Sequence, residues 1–405
     1  MLGTKGCVTN VLLQQVMVSF TTISQGVSLC LLVSSMMLGS SAVPVAGHKG
    51  SVKATNGTDF QLPPLISSRC TPPSHPETTG DPDAEAYYIN KNVQWYQAHG
   101  GNYTALIKRD TEAVGGMTLD LPENPPPIPA TSTAPSSDSG EVVTATAAQI
   151  KELTNYAGVA ATAYCRSVVP GTKWDCKQCL KYVPDGKLIK TFTSLLSDTN
   201  GFILRSDAQK TIYVTFRGTN SFRSAITDMV FTFTDYSPVK GAKVHAGFLS
   251  SYNQVVKDYF PVVQDQLTAY PDYKVIVTGH SLGGAQALLA GMDLYQREKR
   301  LSPKNLSIYT VGCPRVGNNA FAYYVDSTGI PFHRTVHKRD IVPHVPPQAF
   351  GYLHPGVESW IKEDPADVQI CTSNIETKQC SNSIVPFTSI ADHLTYFGIN
   401  EGSCL

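Results

Sequence analysis

KVIVTGHSLGGAQALLAGMDLYQREK, residues 274–299, holds a strand, a tight turn and a helix in one stretch. Lys274 to Thr278 is a short β-branched run, and Gly283 to Lys299 is rich in the strong helix formers Ala and Leu. Between them, Gly279-His280-Ser281-Leu282-Gly283 fits G-x-S-x-G, which forms a nucleophile elbow when a strand precedes it and a helix follows. The chemistry requires this arrangement. Glycines permit the strained turn and the close approach of helix to strand. The turn lifts the Ser281 hydroxyl out of the sheet, and the Leu282 amide at the helix start aims at a developing oxyanion. The five-residue pattern alone is weak, and its bland reading is a structural turn; here the strand–turn–helix context is complete.

A nucleophilic serine needs a base, and the base an orienting carboxylate, in the chain order Ser, acid, His for such an elbow. Asp340 lies in HKRDIVPHVP, just beyond the expected strand FHRTVH, and His393 in ADHLTYFG near the chain end. His333, His337, His344 and His354 also follow Ser281, and Asp364, Asp367 and Asp392 are rival acids, so residue order leaves the choice open. Further outward, TIYVTF (211–216), LSIYTV (306–311) and FHRTVH (332–337) read as strands. TAAQIKELTNYAGVAATAYC (146–165) reads as a helix, and 252–270 as a helix interrupted by Pro261. Strands alternating with helices predict an α/β sheet covered on both faces, with no internal repeat.

The chain has 405 residues, 42% hydrophobic and 16% charged, enough for one large core or two smaller ones. Lys plus Arg and Asp plus Glu are 32 each, a balance that gives no support for a nucleic-acid partner. Residues 27–46 (VSLCLLVSSMMLGSSAVPVA) form an apolar run followed by small residues, as in a secretory signal, with a type II membrane anchor as the competitor. No other stretch matches the ~20 apolar residues of a bilayer span, so no stable transmembrane span is expected in the mature protein. Three regions are expected: 1–46 a targeting segment, 47–136 a prosegment or surface stalk ending in a proline-rich linker, and 137–405 a catalytic domain. The middle of the second, 83–111, carries Tyr87, Tyr88, Trp95 and Tyr96 and a dibasic Lys108-Arg109. Seven of the ten cysteines lie beyond position 140, an odd number. With a secretory leader disulfides are plausible, though sequence alone does not fix the pairing, and Cys176-x-x-Cys179 reads as a small structural loop rather than a zinc or redox site. Asn56, Asn102 and Asn305 head glycosylation sequons.

Six motifs carry a specific resemblance: VTFRGTNSFRSAITDMVF (214–231), VHAGF (244–248), VTGHSLGGAQALLA (277–290), PRVGN (314–318), HKRDIVPHVPP (337–347) and ADHLTYFG (391–398). With them, residues 137–405 resemble the filamentous-fungal class 3 triacylglycerol lipases, Rhizopus prolipases above all. The resemblance implies an α/β-hydrolase fold, with a central mostly parallel sheet flanked by helices and a short helical lid. It implies Ser281 as nucleophile, His393 as base and acid, Asp340 as its orienter, and Thr219 and Leu282 as oxyanion donors. The lid would be 221–230, with Phe222, Ala225, Ile226, Met229 and Val230 on its apolar side and Asp228 holding the Thr219 hydroxyl when open. Disulfides Cys165–Cys404, Cys176–Cys179 and Cys371–Cys380 are implied, leaving Cys313, a departure from the family pattern, as a buried inert thiol. The implied activity is secreted, cofactor-free and metal-free hydrolysis of triacylglycerol at a lipid–water interface, with preference for the outer glyceride positions. The upstream region is implied to dock on the catalytic domain as its own prosegment. Feruloyl esterase and phospholipase A1 are rivals on the same fold; a catalytically silent lipid-surface binding protein is a rival outside enzymes.

Overall fold

A computed structural model describes residues 60–73, 141–194, 197–219, 225, 230–363, 367–385 and 388–404. The chain divides into Met1–Asn56 and Gly57–Leu405, and every described residue belongs to the second unit. The targeting segment, the aromatic middle 83–111, the linker, and lid residues Phe222, Ile226, Asp228 and Met229 lie outside the described residues.

The strands are β1 (Val142–Thr144), β2 (Lys187–Thr193), β3 (Asn200–Ser206), β4 (Thr211–Arg217), β5 (Phe233–Asp235), β6 (Lys243–His245), β7 (Lys274–His280), β8 (Leu306–Val311), β9 (Gly317–Asn318), β10 (Phe332–His337), β11 (Tyr352–Leu353), β12 (Val357–Glu363) and β13 (Asp367–Cys371), with a small terminal hairpin of β14 (Thr395–Tyr396) and β15 (Ile399–Asn400). The helices are α1 (Ala147–Ala161), α2 (Lys177–Tyr182), α3 (Ala246–Ala269), α4 (Leu282–Arg297) and α5 (Asn319–Ser327). Nine strands form the main sheet in the order β1-β13-β12-β10-β8-β7-β4-β3-β2. The five central strands, β12 through β4, are parallel, and two antiparallel strands close each edge.

Alternation along the strands divides the apolar side chains between two cores. Ile212, Val214, Phe216, Val275 and Val277 face one core with α3, α4 and α5, while Tyr213 and Ile276 face the other with α1. Central strands buried on both faces read as near-continuous apolar runs, which is why TIYVTF and KVIVT stand out in the sequence. α1 begins at Thr146 with a full capping box, its hydroxyl accepting from Gln149 N and the Gln149 side chain accepting from Thr146 N.

One expectation needs correction. Helix α3 starts at Ala246 and runs unbroken through Pro261. An interior proline costs ~3 kcal/mol, but the buried face from Phe248 through Tyr252, Val255, Val256, Tyr259 and Phe260 to Leu267 is continuous across it. Each fully buried large apolar side chain contributes about 1.5–3 kcal/mol, so packing outweighs propensity.

Residues 60–73 belong to the region expected to be a prosegment, and they are docked. Phe60 and Leu62 pack against the α3–α4 core. Ile66 N donates to Gln296 O at 2.8 Å, and the Arg297 guanidinium donates to Pro63 O at 2.6 Å. Arg69 donates to the carbonyls of Tyr295, Glu298 and Lys299 at 2.6, 3.1 and 3.2 Å, covering the C-terminal end of α4 with a cation as the helix dipole favours. At 1.5 Å per residue, a 16-residue helix puts this anchor ~24 Å from the elbow. Arg69→Ala in a protein of residues 47–405 is expected to lower stability by about 1–2 kcal/mol, the worth of charged hydrogen bonds at a helix end. Urea unfolding midpoints measure it; coincident midpoints would mean the anchor carries no stability.

Candidate active site

Ser281 sits between β7 and α4 with φ 59° and ψ −131°, the strained left-hand-side backbone of an elbow. Glycines make the turn possible. A Cβ on Gly279 would lie 2.3 Å from Gly283 O, and one on Gly283 2.3 Å from Phe216 O, so neither position admits a side chain. Leu282 is the first residue of α4, where a backbone N–H has no partner within its own helix. Thr219 follows β4, the parallel neighbour of β7, so its loop and the elbow leave the same edge of the sheet.

His393 and Asp340 meet in the buried interior. His393 Nδ1 lies 2.8 Å from Asp340 Oδ2, and both side chains are fully buried. Asp340 follows β10; its Oδ1 accepts from Val342 N at 2.8 Å, and its Oδ2 also accepts from the Tyr396 hydroxyl. Burial and the adjacent carboxylate hold that phenol well above its usual pKa, so it stays a donor. A carboxylate with these three donors is held in one rotamer, and it fixes the Nδ1–H tautomer of His393.

Among the described residues the rival side chains have other surroundings; Asp364 lies outside the described residues. Asp392 Oδ2 accepts from Arg339 N at 3.2 Å, turned toward the backbone. His333 stacks on Tyr309, His337 Nδ1 is bonded to Asp392 O at 2.8 Å, and His354 Nε2 to Pro343 O at 2.9 Å. His344 is buried in the turn Val342–His344, its pKa pushed down to about 3 by burial and by Arg315.

A cavity of about 350 Å³ opens beside Ser281, Leu282 and Thr219. Its walls are mainly apolar, including Val230, Phe248, Pro314 and Val342, with Ala225 from the segment expected to be a lid. His245 also lines it; burial pushes its pKa down to about 4, so the ring is neutral at pH 7. The site can therefore hold an acyl chain against apolar walls with its carbonyl at the elbow.

Several supports were missed in the sequence. Arg315, in PRVGN, is 1% exposed, paired to Glu376 at 2.8 Å and bonded to His344 O and Pro346 O, so it pins the loop after Asp340. Tyr396, two residues before the hairpin's Gly398, supplies the third donor to Asp340. Tyr164 and His280 form a further chain to His393. Nothing in the local patterning marks these roles, since each arises between segments remote in sequence.

Three disulfides join Cys165 to Cys404, Cys176 to Cys179 and Cys371 to Cys380. Bonded in this way, the C-x-x-C sulfurs are not thiolate ligands. Cys313 is free and buried, its thiol pushed up to about 12 by burial, which leaves it unreactive near neutral pH. The Asn305 amide is engaged, donating to Arg300 O and accepting from Ser302 N, an arrangement that opposes use of its sequon.

This elbow, acid–histidine pair and parallel sheet define an α/β-hydrolase. Residues 213–350 match the lipase (class 3) family. A lipase of Rhizopus niveus is 76% identical over 392 residues, 96% of this chain and all of that one. The crystal structure of a lipase from Rhizopus microsporus var. chinensis is 96% identical, with a TM-score of 0.67, covering 73% of this chain and all of that one. The native Rhizomucor miehei lipase propeptide complex is 48% identical with a TM-score of 0.70, over 85% of this chain and all of that one. The chain belongs to the class 3 lipase family.

Proposed function

We propose that this lipase hydrolyses the outer ester bonds of triacylglycerols at a lipid–water interface through an acyl-enzyme. The observation that carries the reading is the buried His393–Asp340 bond on the same sheet edge as a strained Ser281 beside an apolar cavity. Ser281 Oγ attacks the ester carbonyl carbon while His393 Nε2 takes its proton. The backbone N–H groups of Thr219 and Leu282 receive the oxyanion, a term worth several kcal/mol when donors are preorganised. Collapse breaks the bond to the glycerol oxygen, which takes the proton from His393 and leaves as a diacylglycerol. Water, deprotonated by His393, then attacks the acyl carbon, and the fatty acid leaves as Ser281 recovers its proton. Asp340 holds the imidazole tautomer and stabilises the imidazolium without itself becoming protonated. Release of fatty acid from a triolein emulsion tests the reading; comparison with phospholipid and feruloyl ester substrates tests the rivals.

Three further parts belong to this reading. Residues 47–136 act as a prosegment, supported by the docked 60–73 strap and by likeness to a propeptide complex. The protein is secreted, in keeping with three disulfides and an apolar leader; among the described residues no helix is long and apolar enough to cross a membrane. Residues 221–230 act as a lid, supported by Ala225 and Val230 lining the cavity. With a lid, the rate of residues 137–405 on a short-chain ester rises abruptly once substrate exceeds its solubility; plain saturation across that limit would remove the lid from the account.

A further inference from the structure

His280, the residue before the nucleophile, takes no part in the reaction steps above, yet it is 2% exposed and both ring nitrogens are bonded. Nε2 lies 3.0 Å from the backbone carbonyl oxygen of His393. A carbonyl oxygen only accepts, so Nε2 carries the proton. Nδ1 then offers a lone pair, and the Tyr164 hydroxyl, 2.7 Å away, donates to it. Burial and the adjacent His393 ring push the His280 pKa well below its usual range, as a neutral ring with one defined tautomer requires. The two imidazoles are stacked, with centroids 4.4 Å apart and planes at 30°. Tyr164 is itself held in place: it ends the short turn Thr162–Tyr164, and the next residue, Cys165, is bridged to Cys404.

We propose that His280 is a positioning residue that sets the separation of Ser281 from His393, with Tyr164 fixing its rotamer and tautomer. The inference rests on the reading of Ser281 as nucleophile and His393 as base. His280 is joined by a peptide bond to Ser281 and by a hydrogen bond to the backbone of His393, so one rigid side chain connects the elbow with the turn that carries the base. Asp340 grips the His393 ring at Nδ1 and sets its rotation. His280 acts at a different point, on the main chain and the ring face, and so controls where the imidazole sits above the hydroxyl. The leverage is large because proton transfer and attack are steep in distance: a misplacement of ~1 Å costs about 100-fold.

The test uses the full chain, a soluble p-nitrophenyl ester for kcat and KM, and the rate constant for phosphonylation of Ser281. His280→Leu, which keeps volume and loses the donor, is expected to lower kcat and the phosphonylation rate by about 10- to 100-fold, with KM within about twofold. His280→Gln, whose amide N–H reaches about as far as Nε2, is expected to restore both rates to within about fivefold of the parent. Tyr164→Phe keeps the ring and frees Nδ1; it is expected to lower both rates by about 3- to 10-fold, and it carries the test if leucine prevents folding. Parent-like rates in folded His280→Leu or Tyr164→Phe protein would overturn the proposal, as would a His280→Gln protein as slow as His280→Leu. Failure of the underlying reading has a different signature, attachment of the phosphonate in the parent protein at a residue other than Ser281.

Discussion

Ser281→Ala is expected to reduce triolein hydrolysis by about 10⁶-fold, the scale seen when a serine hydrolase loses its nucleophile. The hydroxyl forms the covalent bond on which both half-reactions depend, and no other side chain in the elbow can replace it. The fold should be unaffected. Alanine removes one oxygen, and the strained φ of 59° is imposed by the glycines and the β7–α4 packing rather than by the serine side chain. The check is fatty-acid release beside a thermal unfolding scan of both proteins. A folded alanine protein that retains a tenth of the parent rate would remove Ser281 from the chemistry.

Asp340→Asn is expected to cost on the order of 10⁴-fold in kcat, as in the worked serine-hydrolase case. The reason lies in the donors around the carboxylate. Val342 N–H, the Tyr396 hydroxyl and His393 Nδ1 all converge on its two oxygens. An asparagine has one oxygen and one NH₂ group. With the NH₂ toward His393, the imidazole is forced into the tautomer protonated at Nε2, which cannot accept the serine proton. With the NH₂ toward Val342 N–H, two donors face each other in a buried site, at a penalty of about 1–3 kcal/mol for the unsatisfied group. Only the second arrangement keeps the base in its working tautomer, and that penalty disfavours it, so the first prevails and disables the base while volume is conserved. Asp392→Asn is the control, because its carboxylate faces Arg339 N rather than His393. A folded Asp340→Asn protein with near-parent turnover, or a control that falls as far, would transfer the orienting role to another acid.

The sequence made the elbow legible because strand, turn and helix are contiguous there, so residues 274–299 needed no tertiary information. The central strands were legible because burial on both faces leaves an apolar run, as in TIYVTF and LSIYTV. Edge strands such as β2, KLIKTFT, were not, because one-sided exposure mixes lysines and threonines among the apolar positions. The unbroken α3 was missed for a related reason: Pro261 is a local signal, whereas the packing that overrides it is global. Asp340 and His393 could be proposed from chain order, but order left four other histidines open, because the 2.8 Å bond between the two forms across 53 residues, beyond any local pattern. The Arg315–Glu376 pair and the Tyr164–His280 chain span 61 and 116 residues, and no pattern within either segment encodes its partner.

The most direct test of the account is to mix the protein with a p-nitrophenyl ester of a long-chain fatty acid, quench in acid within the first turnover, and map the adduct by peptide mass spectrometry. The account expects one acyl group, on the peptide containing Ser281. Hydrolysis that proceeds with an acyl group on another residue, or through no acyl-enzyme on any peptide, would contradict it.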